Sequence, residues 1–129
     1  MKRYTILGIN KNEFTVKLES VFLGKQKVVI GKFPNSLFQC FMFEYAKDID
    51  KGPHEDTREA VFRNPRYVYA YAKDIDEKPR EDTRDFAYLD PKYAYKYAKD
   101  VDKSFHEDTY NAVLNTEYEK MYNEFVDNL

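Results

Sequence analysis

The feature that most limits what this chain can fold into is an internal period. The phrase YAKDIDKGPHEDT from Tyr45 returns as YAKDIDEKPREDT from Tyr71 and as YAKDVDKSFHEDT from Tyr97. Tyr45, Tyr71 and Tyr97 therefore stand 26 residues apart, as do Thr57, Thr83 and Thr109. A period of this size marks stacked supersecondary units, none of which buries its apolar face alone. The expectation is a mainly α protein: a short, solenoid-like α-helical repeat array with a small N-terminal antiparallel β cap, α+β overall.

Each unit divides in two. NPRYVYAYAKDID from Asn64 matches DPKYAYKYAKDVD from Asp90 and, one residue early in the period, NTEYEKMYNEFVD from Asn115. Asn64, Asp90 and Asn115 read as helix N-caps, with Pro65 and Pro91 at the first helical position, where a missing N–H costs nothing. Tyr67, Tyr69 and Tyr71 alternate as in a strand. The interspersed alanines favour helix, however, and helical spacing gathers Tyr67, Ala70, Tyr71 and Ile75 on one stripe. The second part (PHEDTREAVFRN, PREDTRDFAYLD, FHEDTYNAVLN) predicts a shorter helix after a tight turn such as Lys51-Gly52-Pro53. Glu55, Asp56, Glu81, Asp82, Glu107 and Asp108 fall in its first turn, where acids complement the macrodipole. Val61, Phe62, Ala87, Tyr88, Val113 and Leu114 supply its buried face.

The ends differ from the middle. RYTILGIN, EFTVKLESVFL and KVVIGKF alternate apolar and polar residues and predict two or three short antiparallel strands. At the other end Tyr118, Tyr122 and Val126 keep the stripe, while Glu117, Glu119, Asn123, Glu124 and Asp127 make a polar outer face. The expected boundaries are a β cap over 1–33 and helical repeats over 34–129, with units near 39–64, 65–90 and 91–115 and a C-terminal cap over 116–129, all in one structural domain.

With 129 residues, 43% hydrophobic and 17% aromatic, the chain is long and apolar enough to bury a core. The single Cys40, within LFQCFMF, reads as a buried, inert thiol and excludes a disulfide framework. No apolar run is long enough to span a bilayer. The N-terminus lacks an apolar leader, so the expected location is the cytoplasm. Net charge is −2 but polarised. Residues 1–44 carry seven Lys/Arg against three acids, +4, and residues 97–129 three Lys against eight acids, −5. Such a dipole favours oriented encounter with a charged partner.

DPKYAYKYAKDVDKSFHE and NPRYVYAYAKDIDEKPRE resemble a unit of about 26 residues, roughly D-P-x-Y-A-Y-x-Y-A-x-D-[VI]-x-K-G-x-x-x-E, found in uncharacterised tandem-repeat proteins of bacteriophages and giant viruses. The resemblance covers residues 39–127 and leaves out the strands. It implies a viral, phage origin and a helical array, with no catalytic residues to transfer and the cytoplasm of a bacterial host as the setting.

Several sharper chemistries were weighed on the residues. Asp48, Asp50, His54, Glu55 and Asp56 crowd together, but they miss the spacing of a calcium loop, and His54 becomes Arg80 in the next unit. Acids repeated every 26 residues lie along a ridge and not across a cleft, as paired catalytic carboxylates must. The chain is therefore expected to be neither an enzyme nor a holder of a cofactor or metal. Asp48, Asp74 and Asp100 sit near helix ends, where they could pair with Arg58 and Arg84. Alternatively Asp48, Asp74 and Asp100, with Asp50, Asp76 and Asp102, form a negative stripe. The leading expectation is a non-catalytic phage protein that binds and inhibits a host protein, for example a CRISPR nuclease. It would do so through Asp48, Asp50, Asp74, Asp76, Asp100, Asp102, Glu117, Glu119 and Glu124. The alternative is a nucleic-acid-binding or virion-assembly accessory protein using Lys2, Arg3, Lys11, Lys17, Lys25, Lys27 and Lys32, with Tyr69 and Tyr95 as stacking rings beside Lys47, Lys73 and Lys99. An exposed edge strand would also invite homodimerisation.

Overall fold

Three alternating segments form an antiparallel sheet in chain order, β1 (Lys2–Ile9), β2 (Glu13–Phe22) and β3 (Lys25–Pro34). The computed structural model describes residues 2–10, 12–34 and 37–129. Lys11, named above among the basic residues, lies outside them, as does the side chain of Lys2. Leu23 and Gly24 both take positive φ, 53° and 76°, which is the two-residue turn whose twist suits a hairpin. The β2–β3 register is unbroken from Phe22↔Lys25 to Glu13↔Pro34, whereas β1 slips between Ile6 and Gly8 in a bulge. Only part of one face is covered. Phe14 and Val16 are buried, and the Phe14 ring meets Phe33, Phe38 and Phe41 at 5.3–5.7 Å. Val28, Val29, Ile30 and Leu23 stay exposed.

The rest of the chain is helical: α1 (Phe38–Tyr45), α2 (Glu55–Val61), α3 (Pro65–Tyr71), α4 (Glu81–Ala87), α5 (Pro91–Tyr97), α6 (Glu107–Val113) and α7 (Tyr118–Asp127). Asn64 and Asp90 cap α3 and α5 as their side chains accept from Arg66 N–H at 3.0 Å and Lys92 N–H at 2.9 Å. Asn115 does not cap. It takes a left-handed φ of 61°, and Thr116 Oγ1 accepts from Tyr118 N–H instead, so the last helix begins after a sharper turn. The paired acids open α2, α4 and α6 as the dipole favours.

One local feature differs from expectation. α1, α3 and α5 do not run on as α-helix through the AKD[IV]D phrase, because each widens into a π-helical turn at Ala46–Asp50, Ala72–Asp76 and Ala98–Asp102. Each turn ends on a left-handed residue, Lys51, Glu77 or Lys103, with φ of 53–55°. Gly52, which sequence reasoning placed at the tight point, has ordinary φ; the reversal falls one residue earlier, on a side chain.

Among the described residues the helical core forms three clusters, each containing alanine, valine and tyrosine. They are Phe43, Ala46, Val61, Tyr71 and Ile75; then Ala72, Ala87, Tyr97 and Val101; then Ala94, Ala98, Val113 and Tyr122. Ala46, Ala72 and Ala98 recur at the same place with no exposed surface, so successive helices approach as closely as a methyl group allows. Tyr71 and Ile75 are buried on the predicted stripe, and Tyr67 and Ala70 pack beside them. Leu114 instead remains partly exposed, because α6 ends at Val113. Cys40 is only half-buried.

A left-handed conformation costs an L side chain about 1–2 kcal/mol, of which a glycine's extra chain entropy takes back part. Glu77→Gly is therefore expected to raise stability by about 0.5–1 kcal/mol, read as a higher midpoint in urea unfolding with an unchanged slope.

Candidate functional site

The repeated tyrosine is the residue type most suggestive of a binding surface, and the fold uses three copies for another purpose. Tyr97, wholly buried, turns its hydroxyl onto the start of α4. Arg80 N–H donates to it at 3.0 Å, Thr83 Oγ1 lies 2.6 Å away, and the phenol reaches the Arg80 carbonyl at 3.0 Å. The same arrangement joins Tyr71 to His54 and Thr57, and Tyr122 to His106 and Thr109. In each, the threonine hydroxyl also lies within 3.0–3.1 Å of the carbonyl three residues before it. The tyrosine thus satisfies the N–H and reaches the carbonyl of the residue that opens each helix, His54, Arg80 or His106, groups that an N-cap side chain does not reach, and the His54 ring itself accepts from Asp56 N–H at 3.4 Å.

A second interaction reinforces two of these three latches. Arg84 forms a bidentate pair with Asp102, Nη2–Oδ1 at 2.6 Å and Nε–Oδ2 at 3.0 Å, and its guanidinium lies 5.9 Å from the centre of the Tyr97 ring. Arg58 holds Asp76 by a single bond, Nη2 to Oδ1, over the Tyr71 ring, leaving Asp76 Oδ2 buried without a hydrogen-bond partner among the described residues, and its Nη1 approaches Asp82 at 3.5 Å. The carboxylates are almost fully enclosed, with 0% of the Asp76 side chain and 3% of the Asp102 side chain exposed. At the third boundary Tyr110 replaces the arginine and its ring meets Tyr122 at 5.5 Å.

These pairs redistribute the expected acidic stripe. Arg58 and Arg84 engage Asp76 and Asp102, and not Asp48, Asp74 or Asp100. Asp100 is half-buried and accepts from the Tyr69 phenol at 2.5 Å. Burial first, then that bond and the Asp100 charge, push the Tyr69 phenol well above its usual range. Asp48, Asp50, Asp74, Glu117 and Glu124 are exposed and Glu119 is half-buried. Exposed acids thus lie at the π turns and at and just before α7, as well as at the starts of α2, α4 and α6.

The tyrosine and lysine ridge is likewise engaged. Tyr69 packs on Tyr93 at 5.9 Å and Tyr95 on Tyr118 at 6.3 Å, with Lys73, Lys96 and Lys99 about 6 Å from the ring centres. Lys47 is exposed. On the sheet, Arg3, Lys25, Lys27 and Lys32 are exposed; Lys17 pairs with Glu19 at 2.8 Å and Lys32 approaches Glu13 at 3.9 Å. Among the described residues no three His, Cys, Asp or Glu side chains converge as a metal site needs, and no helix is long and apolar enough to cross a membrane.

Sequence reasoning missed the threonines and the true arginine partners. The signal was present: Thr57, Thr83 and Thr109 share the 26-residue period, and Arg58–Asp76 and Arg84–Asp102 share a separation of 18.

Tyr97→Phe strips a partner from buried polar groups and is expected to cost about 1–3 kcal/mol, measured by chemical unfolding. Arg84→Ala strands Asp102 and is expected to cost about 3–5 kcal/mol. Burial also raises the Tyr97 phenol from its ordinary 10.0, although the Thr83 and Arg80 bonds oppose it. A raised folded pKa means a contribution fully present below the ordinary phenol value and lost as pH rises through the folded one. Stability should therefore hold from neutrality to about pH 9 and fall above about pH 10, with tyrosinate absorbance appearing together with unfolding. Comparison with protein-family models, with characterised proteins and with solved structures finds no match.

Proposed function

We propose that this chain is a non-catalytic protein-binding module: a short helical solenoid of 26-residue units, closed by the sheet at its first unit, that docks on another protein. One observation carries the proposal. The tyrosines, threonines, arginines and enclosed aspartates that could have done chemistry are committed to joining one unit to the next, whereas the net charge is polarised along the chain, +4 over residues 1–44 and −5 over residues 97–129. Surfaces of this kind recognise by extended complementarity. The exposed acids Asp48, Asp50, Asp74, Glu117 and Glu124, with Glu119, form the docking charges. On the resemblance of the units to those of phage proteins, the partner is a host protein in the bacterial cytoplasm, for example a defence nuclease whose basic channel an acidic surface would occupy.

A second reading has an observation of its own. β3 is exposed along nearly its whole length and carries Lys25, Lys27 and Lys32, which suits a nucleic-acid backbone or a virion component.

Affinity capture from host lysate, with and without nuclease, tests both. The expected result is one stoichiometric protein that survives nuclease. Its capture should fall about tenfold for the combined Glu117→Lys, Glu119→Lys and Glu124→Lys variant, as expected when docking charges are reversed, and persist for Lys25→Glu, Lys27→Glu and Lys32→Glu. The opposite pattern, with capture lost on nuclease treatment, transfers the assignment to the sheet.

A further inference from the structure

The open edge of the sheet has the composition to pair with itself. β1 and β3 both lie at a margin of the three-stranded order, but only β3 offers an unbroken edge. β1 carries the bulge between Ile6 and Gly8, a device that blunts an edge, whereas β3 keeps one register with β2 from Lys25 to Pro34. Among the described residues no strand pairs with the outer side of β3. Its centre is apolar on both faces, since Val28 and Ile30 alternate with Val29, and these residues are 47%, 62% and 45% exposed in that order. An edge of this kind is a template for another strand.

The order of the residues selects which strand. Along an antiparallel strand the N–H and C=O groups of every second residue point to the same neighbour. When β3 pairs with another β3, residues that face each other must therefore lie an even number of positions apart in sequence. Of the registers that remain, the one centred on Val29 spans Lys25 to Phe33. It sets Val29 against Val29, Val28 against Ile30, Lys27 against Gly31, Gln26 against Lys32 and Lys25 against Phe33. Apolar residues meet apolar ones, no lysine faces a lysine, and the Lys25 ammonium can rest on the partly exposed Phe33 ring of the second copy. Centring on Val28 or on Ile30 instead sets Lys27 against Val29 or Lys32 against Val28. The Phe33 rings, which contact Phe14 and Phe41 within each copy, fall at opposite ends of the shared edge and leave its middle free.

We infer that β3 binds β3 of a second copy of this chain, antiparallel and two-fold symmetric about Val29, so that two three-stranded sheets become one of six strands. A two-fold pairing uses each such edge once and closes, giving a dimer and not a fibre. The inference is independent of which acids dock a partner, and it competes with the nucleic-acid reading for the same strand. Residues 1–44 of each copy carry +4, so salt should tighten the dimer by screening that repulsion, the reverse of its effect on phosphate binding.

Sedimentation equilibrium of the full chain at two salt concentrations is the test. A species of twice 15.4 kDa is expected, growing with protein concentration and with salt. Val29→Lys and Val29→Glu each place like charges face to face and should weaken association about fivefold, the scale of one cross-strand pair, while an equal mixture of the two restores it. Val29→Cys in a Cys40→Ser chain keeps a small apolar side chain and should cross-link two copies under mild oxidation, whereas Lys27→Cys in the same chain should not. That pair of cysteine variants decides the register even if the charge variants do not fold. A monomer at every concentration overturns the proposal. So does a dimer that both charge variants form as tightly as the wild type, or cross-linking that is equal at the two cysteine positions. Association that needs an added oligonucleotide and is abolished by salt gives the strand to nucleic acid instead.

Discussion

Everything helical in this protein hangs on a buried hydroxyl. The phenols of Tyr71, Tyr97 and Tyr122 each reach the first turn of the preceding helix and bond to a backbone N–H, a carbonyl and a threonine at once. Helices of seven residues are too short to be stable alone. Their ends also leave polar groups that are costly to bury without partners. The tyrosine answers both needs with one side chain, its ring filling the space between helices and its hydroxyl satisfying the helix start. Tryptophan could not replace these three tyrosines, since an indole can donate but cannot also accept.

The arginine and aspartate pairs add direction to that scheme. Each arginine comes from the second helix of one unit and each aspartate from the π turn of the next, so an ion pair forms only when units stack in register. Their enclosure makes them weak evidence for stability and better evidence for specificity of pairing. The pattern changes at the outer units: Tyr110 replaces the arginine at one, and among the described residues no ion pair joins Asp50 at the other.

Much of the architecture was legible in the sequence because period and pattern agreed. Asn64-Pro65 and Asp90-Pro91 announce helix starts with a mechanism attached, and the alternating residues of the first 33 read as strands. What failed, failed for physical reasons. Asn115 resembles Asn64, yet one deleted residue forces it into the left-handed turn. Gly52 drew attention as the permissive residue while Lys51, Glu77 and Lys103 took the strained angle, since the π turn fixes where the chain reverses. The acidic stripe was harder still. Asp50 is exposed and Asp76 is enclosed at equivalent places in almost identical phrases, and Asp76 alone of the two has a preceding unit whose Arg58 covers it.

The third boundary carries a consequence for how the molecule comes apart. It keeps the Tyr122 latch, Tyr110 stands where the other two boundaries have an arginine, and Asn123, Glu124 and Asp127 on α7 are open to water. Opening begins at the junction that is least reinforced. Amide protons of α6 and α7 would then exchange ahead of those in α3 to α5. Loss of order would start at the boundary without an arginine and reach the ion-paired boundaries afterwards.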